Sequence, residues 1–310
     1  MVVEHQVASA IIDELVVTTG SMTAAAGRPD NEDSILCVDL SALNGSGGQE
    51  PGYLVAVADG MGGHERGEVA SKLAVETLGE VVRASSENDL ALLLKQAFRR
   101  ANETIYQDGQ RDGESSGMGT TLVAAILRGK YVTIANVGDS RAYLLRSNRL
   151  NQITRDHSLV NEQVLRSKLS AGEARESPRR NILMQALGHR PKLDAKMPDI
   201  FELVLLDEDR LLLCSDGFYD VVTDDDMASL LASGDASSAA LTLVNVAIER
   251  GTSDNVSAVV LHVEAAKAIA ARERQAVPVP EGRSSQVVLI VILLGVVLFV
   301  AIVISALTLL

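Results

Sequence analysis

Short apolar runs alternate with polar breaks through most of the chain, and their lengths sort them into strands and helices. Residues 15–19, 34–40, 54–58, 120–127, 131–137, 142–145, 201–206, 210–214 and 258–263 read as strands. The turn Arg128-Gly-Lys130 joins two of them into a hairpin. One helical stripe follows the 54–58 strand, with Ala70, Leu73, Ala74, Leu78, Val81 and Val82 on a single face. A second runs through Leu90, Leu93, Leu94, Ala97, Phe98, Ala101 and Ile105, after capping residues within Ser85-Ser-Glu-Asn-Asp89. Residues 108–119 read as a loop. Asp224-Asp-Asp226 opens a further helix, and one more, through Leu241, Val244 and Ile248, is closed by Gly251. Residues 154–196 lose the strand rhythm and read as a polar segment lying over the surface. The blocked order is strands, two helices, strands, loop, strands, helices, strand. It predicts an α+β fold of antiparallel sheets covered by helices, not a doubly wound parallel sheet.

The C-terminal pattern is different in kind. Residues 287–310 are 24 positions without a charge, about 36 Å as a helix at ~1.5 Å per residue. That exceeds the ~30 Å hydrocarbon core of a bilayer, so a C-terminal transmembrane helix is expected. Arg272, Arg274 and Arg283 precede it and favour a cytoplasmic location for the preceding domain. The expected organisation is a folded domain over 1–264, a linker over 265–286 containing Pro278 and Pro280, and a membrane anchor over 287–310.

Charge and cysteine usage narrow the class. A formal net charge of −13 and 3% aromatic residues argue against nucleic-acid binding, which needs basic patches and stacking platforms. Cys37 and Cys214 lie in apolar runs without a Cys-x-x-Cys pairing, so buried free thiols in a reducing compartment are expected.

Candidate chemistry sits at strand boundaries. The 54–58 run delivers Asp59 to its end, followed by Gly60, Gly62 and Gly63, which allow a sharp turn and close backbone approach. An isolated Asp-Gly more often marks a plain turn than a cation site. Further acids stand at comparable breaks, however: Glu32 and Asp33, Asp139, Asp216 and Asp254. Carboxylates gathered from several strand ends repel unless protonated or bridged by cations, so their recurrence points to a polynuclear metal site. Arg28 is placed to hold a phosphate near it, or to pair with a neighbouring acid.

Taken in order, Arg28-x-x-Asn-Glu-Asp33, Ala58-Asp-Gly-Met-Gly-Gly-His64, Gly119-Thr-Thr121, Val137-Gly-Asp-Ser-Arg-Ala-Tyr143, Thr154-x-Asp-His157, Ser215-Asp-Gly217 and Ser253-Asp-Asn255 resemble the type-2C metal-dependent Ser/Thr protein phosphatases in their bacterial form. The resemblance covers about residues 10–264. It implies an α-β-β-α sandwich of two antiparallel sheets flanked by helices, and two Mn²⁺ or Mg²⁺ ions with a third in some members. Asp59 would bridge the pair. Asp216 and Asp254 would serve one ion, and Glu32 and the Gly60 carbonyl the other. Asp33 would hold a metal or its water, Asp139 the third ion, and Arg28 the phosphate. A substrate-influencing flap would fall within 155–192. Phosphorylated proteins and a cognate Ser/Thr kinase are the implied partners. Animal relatives carry a histidine directly after the Asp-Gly pair; here that position is Met61, and the nearest histidine, His64, is the candidate proton donor. Three other readings stay open at this point: a catalytically weak scaffold, a partner-switching phosphatase acting on one small regulator, and a Mg-dependent nucleotide hydrolase. The last lacks a Gly-x-x-x-x-Gly-Lys-Ser/Thr loop.

Overall fold

β4 (Gly52–Met61) is buried on both faces, which is why its sequence is a continuous apolar run instead of an alternation. Tyr53, Val55 and Val57 face a second sheet, while Leu54, Ala56 and Ala58 face helices. The computed structural model describes residues 9–12, 15–40, 52–62, 66–111, 117–170, 172–173 and 177–265, all within the first of two units, Met1–Ala266. The expected linker and membrane span lie outside the described residues. Among the described residues, no helix is long and apolar enough to cross a membrane.

In chain order the first half comprises β1 (Ser9–Ile12), β2 (Leu15–Ala24), β3 (Asp33–Asp39), β4, α1 (Arg66–Ala84), α2 (Leu90–Gln110), β5 (Gly119–Thr120), β6 (Leu122–Arg128) and β7 (Tyr131–Val137). The second half comprises β8 (Arg141–Arg146), β9 (Arg149–Gln152), α3 (Leu159–Leu165), β10 (Asp199–Val204), β11 (Arg210–Cys214), α4 (Asp216–Tyr219), α5 (Asp224–Ala232), α6 (Ala236–Glu249) and β12 (Val256–Ala265). One sheet runs β1-β2-β12-β11-β8-β9; the other runs β10-β7-β6-β4-β3, with β5 attached to β4. The strand pairings are antiparallel. The expected four-layer sandwich is therefore present, and the family resemblance correctly anticipated it.

Three apolar layers hold it together. Val55, Val57, Val123 and Ile134 of one sheet meet Leu211, Leu213, Val259 and Leu261 of the other. α1 and α2 cover one outer face through Ala74, Leu78, Leu94 and Phe98, and α6 covers the opposite one through Ala240, Leu243 and Val244. α2 starts where expected: Asp89 caps it by accepting the Leu92 N–H at 3.0 Å.

Two local readings need correction. α2 continues through Asp108, Gly109 and Gln110, all within the expected loop, because the Ile105 turn remains packed on the core. Residues 154–196 do not simply lie over the surface either. Leu187 is fully buried in the α1/α2 layer, and Asn102 fixes its neighbours by accepting from Gly188 N at 2.9 Å and donating to Arg190 O at 3.0 Å. Its apolar anchors, Val160, Leu187 and Leu193, are too widely spaced to give a periodic signal.

Candidate metal centre

Both sheets contribute acids to one edge of the sandwich. Asp33 on β3 stands directly opposite Asp59 on β4. Asp216 begins α4 immediately after β11, and Asp254 precedes β12, which pairs with β11. Asp139 occupies the break between β7 and β8, where Gly138 adopts φ +109°.

Asp59 lies within β4, not at its end. The strand continues through Gly60 and Met61, which pair with Thr120 and Gly119 of β5. Gly60 is required for close approach: a Cβ there would sit 2.0 Å from the Gly67 carbonyl oxygen. Beyond the ladder Gly62 adopts φ +153°, a conformation L side chains rarely take. The Asp59 backbone is fixed on both sides, its N–H donating to Thr121 Oγ1 at 2.9 Å and its carbonyl accepting from Thr121 N at 2.9 Å and Thr120 Oγ1 at 2.8 Å. Gly60 N donates to the Glu32 carbonyl at 3.1 Å, which keeps these two candidate ligands side by side. Gly217 plays the matching role across the seam, since a Cβ there would meet the Asn255 carbonyl at 2.0 Å.

Side-chain donors then orient the carboxylates. Ser215 and Ser257 each donate to Asp33 Oδ2 at 2.7 Å. Asp33 Oδ1 and Asp216 Oδ1 are both buried with no hydrogen-bond partner in the protein. Buried acceptor oxygens without donors are costly, and divalent cations are the partners that a set of hard oxygens fits. Burial, followed by repulsion from neighbouring carboxylates including Asp216, pushes the Asp33, Asp59 and Asp139 acids up. Asp216 rises for the same reasons, opposed by a hydrogen bond from Asp59. Glu32 is raised by burial and moderated by Arg28. Such a set gains when cations replace its protons.

Arg28 is exposed and held at the rim. Its Nη2 donates to Asp254 Oδ2 at 2.8 Å and its Nε to the Ser253 carbonyl at 3.2 Å. The acid it meets is distant in sequence, not one of its chain neighbours. His64 lies outside the described residues.

Several supporting residues carried no assigned role in the sequence reading. Asn255 accepts Glu32 N at 2.8 Å and donates to the Ala25 and Asp30 carbonyls, pinning the loop that carries Arg28. Arg141 forms a bidentate pair with Asp156, its Nε and Nη2 donating at 2.9 and 2.7 Å. It also lies 3.5 Å over the Tyr219 ring, whose hydroxyl donates to the Asp139 carbonyl at 3.0 Å. His157 Nδ1 accepts Gly138 N at 3.1 Å, so its proton resides on Nε2, facing Asp199 at 3.3 Å. The polar letters inside the quoted motifs were the available signal for Asn255, Arg141, Asp156 and His157; Tyr219 and Asp199 lie outside those motifs. Beside them a cleft of about 460 Å³ is lined by Asp139, Asp216, Arg141, Asp156, Arg180 and Tyr219. Cys214 is buried and Cys37 partly so; both are free, and burial pushes both thiols up.

A carboxylate-rich edge between two antiparallel sheets, with an arginine at its rim and a polar cleft beside it, defines a metal-dependent hydrolase centre. The chain belongs to the protein phosphatase 2C family, whose profile matches residues 27–242. It is 39% identical over 209 residues to a serine/threonine phosphatase of Listeria welshimeri, covering 66% of this chain and 82% of that protein. It is also similar to the crystal structure of a serine/threonine phosphatase from Staphylococcus aureus, at 34% identity and a TM-score of 0.72, over 84% of this chain and 98% of that one. The catalytic domain of the serine/threonine protein phosphatase PstP, solved in complex with two manganese ions, aligns at 33% identity and a TM-score of 0.68, over 81% and 99%.

Proposed function

We infer that this chain is a metal-dependent protein phosphatase that hydrolyses phosphoserine and phosphothreonine monoesters on proteins. The observation that carries this is the convergence of Asp33, Asp59, Asp216 and Asp254 from two sheets, with buried oxygens that the protein itself leaves without donors. Asp59, Asp216, Asp254, Glu32, the Gly60 carbonyl and Asp33 would hold two Mn²⁺ or Mg²⁺ ions, and Asp139 a third. When bound, such ions supply Lewis acidity that makes water nucleophilic at neutral pH and offsets charge on the phosphoryl oxygens.

The remaining work falls to the chain's own groups. Ser215 and Ser257 keep one Asp33 oxygen occupied, so that the other faces the centre. Arg28, at the rim, orients a phosphoryl group bidentately, exchanging its Asp254 contact for it. The Arg141–Asp156 pair and Tyr219 hold Asp139 in the cleft wall. Neither thiol is suited to nucleophilic attack, since a raised pKa removes the thiolate. His64 is our candidate proton donor to the departing serine oxygen. Chelation is expected to abolish phosphate release from phosphoserine and phosphothreonine peptides, and Mn²⁺ or Mg²⁺ to restore it; turnover that survives chelation would refute the assignment.

A cognate Ser/Thr kinase supplies the substrate in this reading, and the catalytic domain works at the cytoplasmic face of a membrane. The support is the 24-residue uncharged tail with Arg272, Arg274 and Arg283 before it. The full chain is expected to resist carbonate extraction from membranes; release into the carbonate supernatant would remove the anchor from the proposal.

A further inference from the structure

Among the described residues, the trio of His, Cys, Asp or Glu side chains whose ligand atoms all lie within 4.8 Å of one another is Glu208, His262 and Glu264. It is not part of the centre above. His262 stands eight residues along the chain from Asp254, roughly 26 Å at ~3.3 Å per residue of strand. On β12, Val256, Ala258 and Val260 face the α6 layer, and His262 and Glu264 continue that same alternation. His262 is 1% exposed and Glu264 7% exposed. Glu208 reaches in from the turn between β10 and β11, where its backbone adopts φ +64°.

We propose that Glu208, His262 and Glu264 form a second metal site, selective for a zinc-class divalent transition ion and separate from the phosphatase centre. Glu208 Oε2 lies 3.8 Å from His262 Nε2, and Glu264 Oε2 lies 3.6 Å from Nδ1. The two carboxylates approach different ring nitrogens, of which one ion takes a single one. With one nitrogen and one oxygen from each carboxylate, the three ligand atoms lie within 4.8 Å of one another, a set that must contract to the roughly 3.3 Å spacing that a tetrahedral ion imposes on ligands ~2.0–2.1 Å away. One imidazole and two carboxylates suit Zn²⁺ or Co²⁺, with water completing the shell; Ca²⁺ and Mg²⁺ prefer oxygen-only sets. The two carboxylates balance the ion's charge. Thr18, directly across from His262 on β2, provides a buried Oγ1 without a hydrogen-bond partner in the protein. Arg210, cross-strand to His262, donates to the carbonyls of Leu231 at 2.6 Å and Gly234 at 2.9 Å. The ion would tie the β10–β11 turn to the end of β12. With the ion on Nδ1 beside Glu264, Glu208, more than half exposed and now nearest Nε2, must swing to complete the set.

The test uses full-length protein carrying Asp59→Asn and Asp216→Asn, which disables the first centre, titrated with Co²⁺ and read by visible absorption. One equivalent is expected to bind with a ligand-field band that Zn²⁺ displaces. Adding His262→Gln should abolish the band. Glu208→Gln, on an exposed turn where folding is not at risk, should weaken binding about tenfold or more. In the otherwise native chain, Glu208→Gln should leave Mn²⁺-dependent phosphatase turnover unchanged. Absence of Co²⁺ binding, or a band indifferent to Glu208→Gln and His262→Gln, overturns the proposal. So does a result in which His262 only exchanges a proton, titrating by NMR without any response to Co²⁺ or Zn²⁺.

Discussion

β12 carries ionisable groups at both ends, in opposite electrostatic settings. At its start, Asp254 joins carboxylates from four other segments, and Arg28, at that rim, is exposed. At its far end, two carboxylates flank an imidazole, with a buried guanidinium on the adjacent strand. The first set cannot ionise fully without external cations, because burial and mutual repulsion act in the same direction. The second can reach balance with a single proton or ion. The same strand thus carries one group of acids that depends on divalent cations and another that merely accepts one.

The sharpest way to break the contrast is Asp59→Asn. It removes the acid that burial, and then repulsion from Asp33, Asp216, Asp139 and Asp254, push up, and phosphopeptide kcat is expected to fall by several orders of magnitude, measured at saturating Mn²⁺. Next in size, Arg141→Ala strips the partner from Asp156, whose side chain is 12% exposed. Breaking such a buried pair costs about 3–5 kcal/mol, to be read as a lower denaturation midpoint in urea, and the Asp139 wall should loosen with it. A Ser215→Ala/Ser257→Ala double variant leaves every carboxylate in place but frees Asp33 Oδ2. Its Mn²⁺ affinity should drop by about 10–100-fold, the usual cost of losing groups that orient a ligand, measured by calorimetry.

The smallest effect is expected near the far end. Asp235 caps α6 by accepting Ser238 N at 2.7 Å, and its acid is lowered, mainly by that bond. Asp235→Ala should cost about 1 kcal/mol at neutral pH. Because the folded-state value lies below the unfolded one, the cap's contribution is complete above about pH 4. It fades as pH falls through the folded-state value. Melting curves of the two proteins should therefore converge in acid and separate again at neutrality.

What could be read ahead of the structure follows from how local each signal is. The strands and the α1 and α2 stripes were legible because each repeats an apolar residue at a fixed spacing. The acids at strand ends were legible because the chain repeatedly spends an aspartate where an apolar run stops. Asp59 was misplaced as a strand end, since β5, only two residues long, extends the ladder past it and leaves no pattern of its own. Leu187 gave no warning of its burial because Ile182, Leu183, Met184, Ala186 and Leu187 follow neither a strand nor a helix period. Ser215, Ser257 and Asn255 are ordinary polar letters whose importance depends on partners far away in sequence, such as Asp33. The Glu208–His262–Glu264 trio was missed for a related reason: a turn residue and two alternating strand residues meet only once β11 and β12 are paired.

The clamp between His157 and Gly138 has a mechanical side. His157 N donates to the Gly138 carbonyl at 2.9 Å while its ring takes the Gly138 N–H, and Met184 N binds the His157 carbonyl at 2.7 Å. Asn136 adds a further tie to the Arg155 carbonyl at 3.1 Å. The Asp139 turn therefore has no hinge of its own. It is bolted to the strap of chain that arches beside the cleft, with Arg180 anchored to Asp220 at 3.3 Å. Three bonds cross from strap to turn, two between His157 and Gly138 and one between Arg155 and Asn136, so any displacement of the strap would carry the aim of Asp139 with it.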